Sequence, residues 1–282
     1  LRIAIQSKGR LYEESMALLE EAGIKIPGGK RTLLVPARNF PVEVLFLRDD
    51  DIPESVASGV ADVGIVGLNE VMEKRCPVGI LKKLGFGKCR LSLAIPQDID
   101  YQDRNWFSGK KIATSYPGIL SDYLHKNGIV SDIHVITGSV EIAPGIRLAD
   151  AIFDIVSSGS TLVSNRLKEV ETVVESEAVL IGTDSISPEK RGILDELLFR
   201  FDSVQAADDK KYILMNVPQK KLNDVLSVLP GIKSPTVMPL ADKEWCSVHT
   251  VLDEKCFWEI INRLKTAGAE GILVLDIEKM IL

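Results

Sequence analysis

The chain of 282 residues is longer than a single hydrophobic core usually serves, and at roughly 150 residues per domain it calls for two or three domains. Hydrophobic residues make up 45% and charged residues 26%, which is too apolar for disorder and suits a soluble fold that needs no staples. The 34 Lys and Arg against 40 Asp and Glu give a formal charge of -6; with no basic tail and no basic-aromatic cluster, this argues against a nucleic-acid surface, and an anionic substrate needs a local basic site.

Cys76, Cys89, Cys246 and Cys256 show no CxxC spacing, and His125, His134 and His249 stand apart. That is the pattern of free thiols in a reducing compartment rather than of disulfides or zinc. No apolar run approaches the roughly 20 residues that span a bilayer, and LRIAIQSKGR lacks a signal-peptide core, so a cytoplasmic protein with no membrane partner is expected.

Taken in order, Arg2 to Ile5 reads as a strand and SKGR as a turn, and Leu11, Ser15, Leu18, Leu19 and Ala22 share one helical face ahead of Gly23. Val42 to Leu47 is the next strand. In RDDDIP, Asp51 can N-cap a short helix, Pro53 to Ser58, that Gly59 ends. Ala61 to Gly67 follows as a buried strand, and the alternation predicts a parallel α/β sheet. From Cys89 to Pro96 the texture changes, and a polar stretch leads into a second series. That series comprises KKIATSYP, Ile133 to Glu141, a helix around Pro144 to Leu148, the strand Ala151 to Val156 and a helix Leu162 to Glu171. Ala178 to Gly182 returns the chain to the first lobe.

Two lobes, 1–92 with 178–205 and 93–177, are thus expected to face each other across a cleft. The remainder, 206–282, reads KYILMNVP strand, Lys220 to Leu229 helix stopped by Pro230 and Gly231, SPTVMPL and WCSVHTVLD strands, Glu254 to Ala267 helix and GILVLDIEKM strand. That order, βαββαβ, predicts a separate ferredoxin-like module.

The strongest chemical signal is DIVSSGST, where an apolar strand runs into Ser157, Ser158, Gly159, Ser160 and Thr161 at the start of a helix. Unpaired N–H groups, hydroxyls and a glycine that allows close approach suit a phosphate monoester. An ordinary helix cap, which needs one hydroxyl, is the alternative. The segment is neither GxxxxGK[ST] nor GxGxxG. Asp154, just before the turn, and Glu141, at the end of GSVE on an expected neighbouring strand, can accept from ribose hydroxyls, or serve as structural carboxylates. Lys8 and Arg10 in QSKGRL suit a pyrophosphate or make a solvated basic turn. The acids of RDDDIP can hold Mg²⁺ through water, orient a base or merely cap a helix. Thr114, Ser115 and Tyr116 offer hydroxyls and an aromatic face for adenine, or form a plain strand-to-helix turn.

These blocks resemble the long form of the ATP phosphoribosyltransferase family: SKGRL, RDDDIP, GVADVGIVG, CRLSLA, KIATSYP, GSVEIAP, LADAIFDIVSSGSTL, LKEVE, KYILMNVP, LPGIKSPTVMPLA and ILVLDIEKM, in that order. The resemblance implies an α/β catalytic core of two lobes like the type II periplasmic binding proteins, with a C-terminal ACT-like regulatory domain that the short form lacks. It implies transfer of the phosphoribosyl group of phosphoribosyl pyrophosphate to N1 of ATP with Mg²⁺, as the first step of histidine biosynthesis, with feedback inhibition by histidine and dimers assembling into hexamers. The Mg²⁺ would be mainly substrate-borne, its protein ligands unassigned. Carried onto this chain, Lys8, Arg10, Glu141 and Asp154 would be catalytic, Asp154 and Ser157 to Thr161 would grip the donor phosphate, and Arg48, Asp49 and Thr114 to Tyr116 would serve ATP. Histidine would lie near Asn216, Thr236, Val251 and Gly271. At Asn216 some members carry Asp, whose carboxylate would pair better with histidine's ammonium group. Exported solute-binding proteins, bilobal transcriptional co-regulators and stand-alone amino-acid sensors are the rival readings; the chain shows neither an export signal nor a DNA-binding helix pair, and a sensor leaves 200 residues unexplained.

Overall fold

The apolar runs of the sequence become strands of three sheets in a computed structural model that describes residues 1–27, 32–230 and 235–281. Two sheets lie in one compact unit, Leu1–Glu196, and the third in a second, Leu197–Leu282.

The first lobe of the larger unit is built from β1 (Arg2–Gln6), α1 (Arg10–Glu21), β2 (Leu34–Pro36), β3 (Glu43–Leu47), α2 (Ile52–Ala57), β4 (Val63–Gly67), α3 (Leu68–Lys74) and β5 (Gly79–Lys83). Ser15, Leu18 and Leu19 are the buried face of α1. At the sheet centre, Val63, Ile65 and Val66 of β4 are wholly buried, each worth about 1.5–3 kcal/mol relative to exposure. Gly64 lets α2 close on this strand: a Cβ there would lie 2.6 Å from Ile52 Cγ2.

The second lobe follows with β6 (Cys89–Pro96), β7 (Lys111–Thr114), α4 (Pro117–Lys126), β8 (Asp132–Val135), β9 (Ala151–Val156), α5 (Ser160–Ser164) and β10 (Leu167–Ser176). The chain then returns as β11 (Ala178–Gly182), giving sheet orders β2-β3-β1-β4-β11-β5 and β10-β6-β9-β7-β8. Period-2 alternation sorts the second sheet. Leu91, Leu93 and Phe153 enter one core cluster, while Ala94, Ile152 and Val156 enter another on the opposite face. Asp154 shares the second face, directly across from Ser92.

The long helix α6 (Pro188–Ala207) contains the boundary between units. The smaller unit continues with β12 (Lys210–Pro218), α7 (Leu222–Val228), β13 (Thr236–Pro239), β14 (Trp245–Asp253), α8 (Glu254–Ala267) and β15 (Glu270–Asp276). Its sheet is antiparallel, in the order β13-β14-β12-β15, the ferredoxin-like arrangement of a βαββαβ chain. Phe257, Ile260 and Leu264 of α8 pack on Ile213, Met215 and Val248 of the sheet.

Several local expectations are corrected. The first sheet is mixed, because β2, β11 and β5 run antiparallel to their neighbours. Leu162 to Glu171 is no helix: α5 stops at Ser164, and the chain turns through Arg166, at φ +55°, into β10. Around Pro144 to Leu148 the chain makes turns after a 3-10 segment, Val140–Ile142, that carries Glu141. Arg147 sits at φ +58°, which no α-helix admits. Asp51 makes no side-chain cap, since Asp49–Asp51 form a 3-10 turn that feeds α2 directly. Arg10 opens α1 instead of belonging to the turn. Gly231, expected as a helix stop, and Ser234, expected to open a strand, lie outside the described residues.

Candidate active site

The turn after β9 is where most of the predicted chemistry collects. Gly159 adopts φ +80°, a conformation costly for any residue with a Cβ, and this lets the backbone reverse into α5. Ser158 Oγ and Ser160 Oγ lie 3.0 Å apart, while Ser157, Ser158, Ser160 and Thr161 are all exposed. The turn thus presents hydroxyls to solvent, while the Ser160 N–H donates to Ser158 Oγ at 3.4 Å within the turn.

The two lobes meet at Ser157. Arg10 Nη1, from α1 of the first lobe, donates to Ser157 Oγ at 3.2 Å, and its Nε is held by Glu14 Oε1 at 3.0 Å. A cavity of about 250 Å³ opens here, bordered by Arg10, Asp49, Glu70, Lys88 and Ser157. A second hollow of about 580 Å³ shares Lys88 and Ser157 and adds Lys83 and Arg90.

Asp154 stands three residues before the turn. Burial raises its carboxyl to about 6; the Ile155 N–H, donating to its Oδ1 at 2.8 Å, pulls the other way, and the nearby charge of Glu141 pushes further up. Asp154 thus feels the charge of a second carboxylate, Glu141, close to the turn. Lys8 is exposed in the turn after β1, on the chain that leads to Arg10.

Other predicted residues carry structural bonds. Arg48 is exposed and paired with Asp50 at 3.0 Å, whereas Asp49 borders the cavity. Thr114 is fully buried and its Oγ1 accepts from Tyr116 N at 2.8 Å. Ser115 Oγ donates to the Ile136 carbonyl at 2.7 Å. In the smaller unit Asn216 and Gly271 adjoin, a Cβ on Gly271 falling 3.3 Å from Asn216 Nδ2, while Thr236 and Val251 sit on β13 and β14.

Sequence reasoning missed the polar group that joins the lobes behind the cavity. Tyr116 Oη donates to Glu70 Oε1 at 2.9 Å, Asn69 Nδ2 donates to the same oxygen at 3.2 Å, and Ser176 Oγ donates to Asn69 Oδ1 at 2.8 Å. Glu73 crosses the same seam and accepts the Gly118 and Ile119 N–H groups at the start of α4, at 2.8 and 2.9 Å. Burial raises both the Glu70 carboxyl and the Tyr116 phenol. The only sequence trace of this seam was the polar pair Asn69-Glu70 directly after an apolar strand. Arg90 and Glu169 were missed as well, 79 positions apart.

Comparison with known proteins bears on the whole chain. A family model described as HisG, ATP phosphoribosyltransferase, matches residues 48–203, and a second, the HisG C-terminal domain, matches residues 207–279. Proteins named ATP phosphoribosyltransferase from Bacteroides fragilis and Phocaeicola vulgatus are 70% and 71% identical over 282 residues, covering all of both chains. One from Cytophaga hutchinsonii is 58% identical over 281 residues, covering 100% of this chain and 98% of its own. Among solved structures, the ATP phosphoribosyl transferase (HisG:HisZ) complex from Thermotoga maritima aligns with a TM-score of 0.61 at 27% identity, over 71% of this chain and 98% of that one. The substrate binding protein of an amino acid ABC transporter aligns at 0.50 and 11% identity, over 73% of this chain and 93% of its own, a likeness of fold alone.

Proposed function

The chain belongs to the ATP phosphoribosyltransferase family, and from that premise we propose how its own residues divide the work of phosphoribosyl transfer. It is an enzyme of histidine biosynthesis that uses ATP and phosphoribosyl pyrophosphate. The donor's 5'-phosphate sits on Ser157 to Thr161, with Asp154 and Glu141 at the ribose and Arg10 and Lys8 at the pyrophosphate. The observation that carries this reading is the bond from Arg10 to Ser157, which sets a cation of one lobe against the phosphate turn of the other.

N1 of ATP's adenine attacks C1 of the ribose as the bond from C1 to the pyrophosphate oxygen breaks, and the leaving group departs with that electron pair. Positive charge grows on the ribose, and the Asp154 and Glu141 carboxylates stabilise it where water is partly excluded. N1 already has a lone pair, so no strong base is needed, and positioning is the main task. ATP binds beside Asp49 and Arg48, with the turn Thr114 to Tyr116 behind it.

Among the described residues no cluster of three or more His, Cys, Asp or Glu is poised to cage a metal. A cage is not what Mg²⁺ on a pyrophosphate requires, since one or two carboxylates plus phosphate oxygens suffice. Asp154 and Glu141 would suit that role, and a Mg²⁺ brought in on the donor would supply positive charge to the departing pyrophosphate. The unit at 206–282 binds histidine near Asn216, Thr236, Val251 and Gly271 and transmits feedback inhibition; the chain assembles as a homo-oligomer, dimer to hexamer. The cytoplasm suits its four unpaired cysteines, and no described helix is long and apolar enough to cross a membrane.

Incubation with ATP, phosphoribosyl pyrophosphate and Mg²⁺ should produce the ultraviolet absorbance of an N1-ribosylated adenine, and Arg10→Ala should reduce the rate at low donor. Full activity of Arg10→Ala at low donor would remove the residue assignment.

A further inference from the structure

Arg90 is the only charged residue of β6, an otherwise largely apolar strand that lies between β10 and β9 in its sheet. Its guanidinium forks onto Glu169 of β10, Nε to Oε1 and Nη2 to Oε2, both at 2.5 Å. The remaining nitrogen, Nη1, donates to the Ser157 carbonyl at 3.2 Å. Glu169 also accepts from Ser92 Oγ at 2.7 Å and Thr172 Oγ1 at 3.1 Å. With Arg90 the largest cause, these bonds hold the Glu169 carboxyl down to about 2, so the pair stays ionised at every physiological pH.

A planar guanidinium satisfied by both oxygens of one carboxylate has a fixed plane, so the direction of its third nitrogen is set in advance. That nitrogen fixes a peptide. In a planar trans peptide the Ser157 carbonyl and the Ser158 N–H point to opposite sides. Drawing the carbonyl toward Arg90 therefore turns its negative end away and aims the Ser158 N–H to the other side of the backbone.

We infer that Arg90, clamped by Glu169, is a positioning residue for the phosphate turn: it holds back the Ser157 carbonyl so that the turn offers N–H groups, not a carbonyl oxygen, to the donor's 5'-phosphate. This rests on the assignment of Ser157 to Thr161 to that phosphate. Because Glu169 neutralises the guanidinium, Arg90 contributes orientation and little net charge. Arg10, which reaches the Ser157 hydroxyl from the other lobe, holds the side chain of the same residue whose backbone Arg90 holds.

The test compares Arg90→Lys, Arg90→Met and the double variant Arg90→Met with Glu169→Met, in steady-state kinetics beside Thr161→Ala. Lysine keeps the charge but cannot fork, and the double variant removes both charges so that no unpaired carboxylate threatens folding. All three should raise the donor KM about tenfold, leave the KM for ATP within about twofold and leave kcat at saturating donor nearly unchanged. A native-like donor KM in Arg90→Met would overturn the inference. So would its recovery in the double variant, which would reduce Arg90 to a counter-ion for Glu169. If Thr161→Ala raises the donor KM while the Arg90 variants do not, the anchor alone is wrong; if Thr161→Ala leaves it unchanged, the phosphate assignment itself fails.

Discussion

Arg10 Nη1 and Ser157 Oγ lie 3.2 Å apart across 147 positions of chain, one at the start of the first helix and the other at the mouth of a turn in the opposite lobe. A bond of this kind ties the donor site to lobe approach, because neither residue's lobe can supply it alone. A hydrogen bond from a charged donor contributes about 1.5–3 kcal/mol. Arg10→Ala should therefore raise the donor KM by roughly ten- to a hundredfold, measured at saturating ATP, with a smaller effect on the KM for ATP.

Asp154 sets a pH dependence. Its folded value of about 6 lies above the ordinary carboxyl value near 3.9. Between those values the folded state keeps a proton that the unfolded chain has lost, so this group's contribution to stability falls as pH rises through the window. Asp154→Asn should thus melt at a higher temperature than the native protein at pH 7.5 and show little advantage at pH 4. Its activity should drop on the order of a hundredfold, since the ribose loses a stabilising charge. In the native enzyme kcat/KM for the donor should rise through pH 6, and the Asn variant should lack that limb.

The buried seam behaves in the same sense. Glu70 is raised by burial, so its cost to the fold also grows as pH rises past the ordinary carboxyl value. Glu70→Gln keeps an oxygen for the Tyr116 hydroxyl and removes the charge, and it should raise the melting temperature at pH 7.5. Tyr116→Phe removes the donor and should cost about 1 kcal/mol in denaturant unfolding.

Removing the chain from residue 207 onward should abolish inhibition by histidine while the lobes keep their fold. Activity titrated with histidine reads this directly, and a truncated enzyme inhibited like the full chain would contradict it.

The legible parts of the fold were those where pattern and structure share a period. AIFDIV becomes β9 with the same bounds, because burial on both faces from Ala151 to Phe153 leaves an apolar run that only Asp154 interrupts. The βαββαβ order of the last unit was legible for a similar reason, as α8 buries Phe257, Ile260 and Leu264 on one face. Strand β10 was hidden because its pairing with β6 slips twice, between Glu169 and Glu171 and between Thr172 and Val174. Each slip breaks the alternation of period two, and the residues then mimic a helical face. In the candidate site, the turn and Asp154 were readable because they are contiguous. The contacts of Arg90 with Glu169 and of Glu70 with Tyr116 join residues 79 and 46 positions apart, and no spacing rule reaches them.

The phosphate turn is tested most directly by equilibrium titration of ribose 5-phosphate and of ribose into the native protein and into Gly159→Val. The native protein should bind ribose 5-phosphate at least about tenfold more tightly than ribose, and the valine, forced to φ +80° where only glycine is comfortable, should erase most of that difference. Equal binding of the two sugars by the native protein, or an undiminished preference in a folded Gly159→Val, would contradict the account.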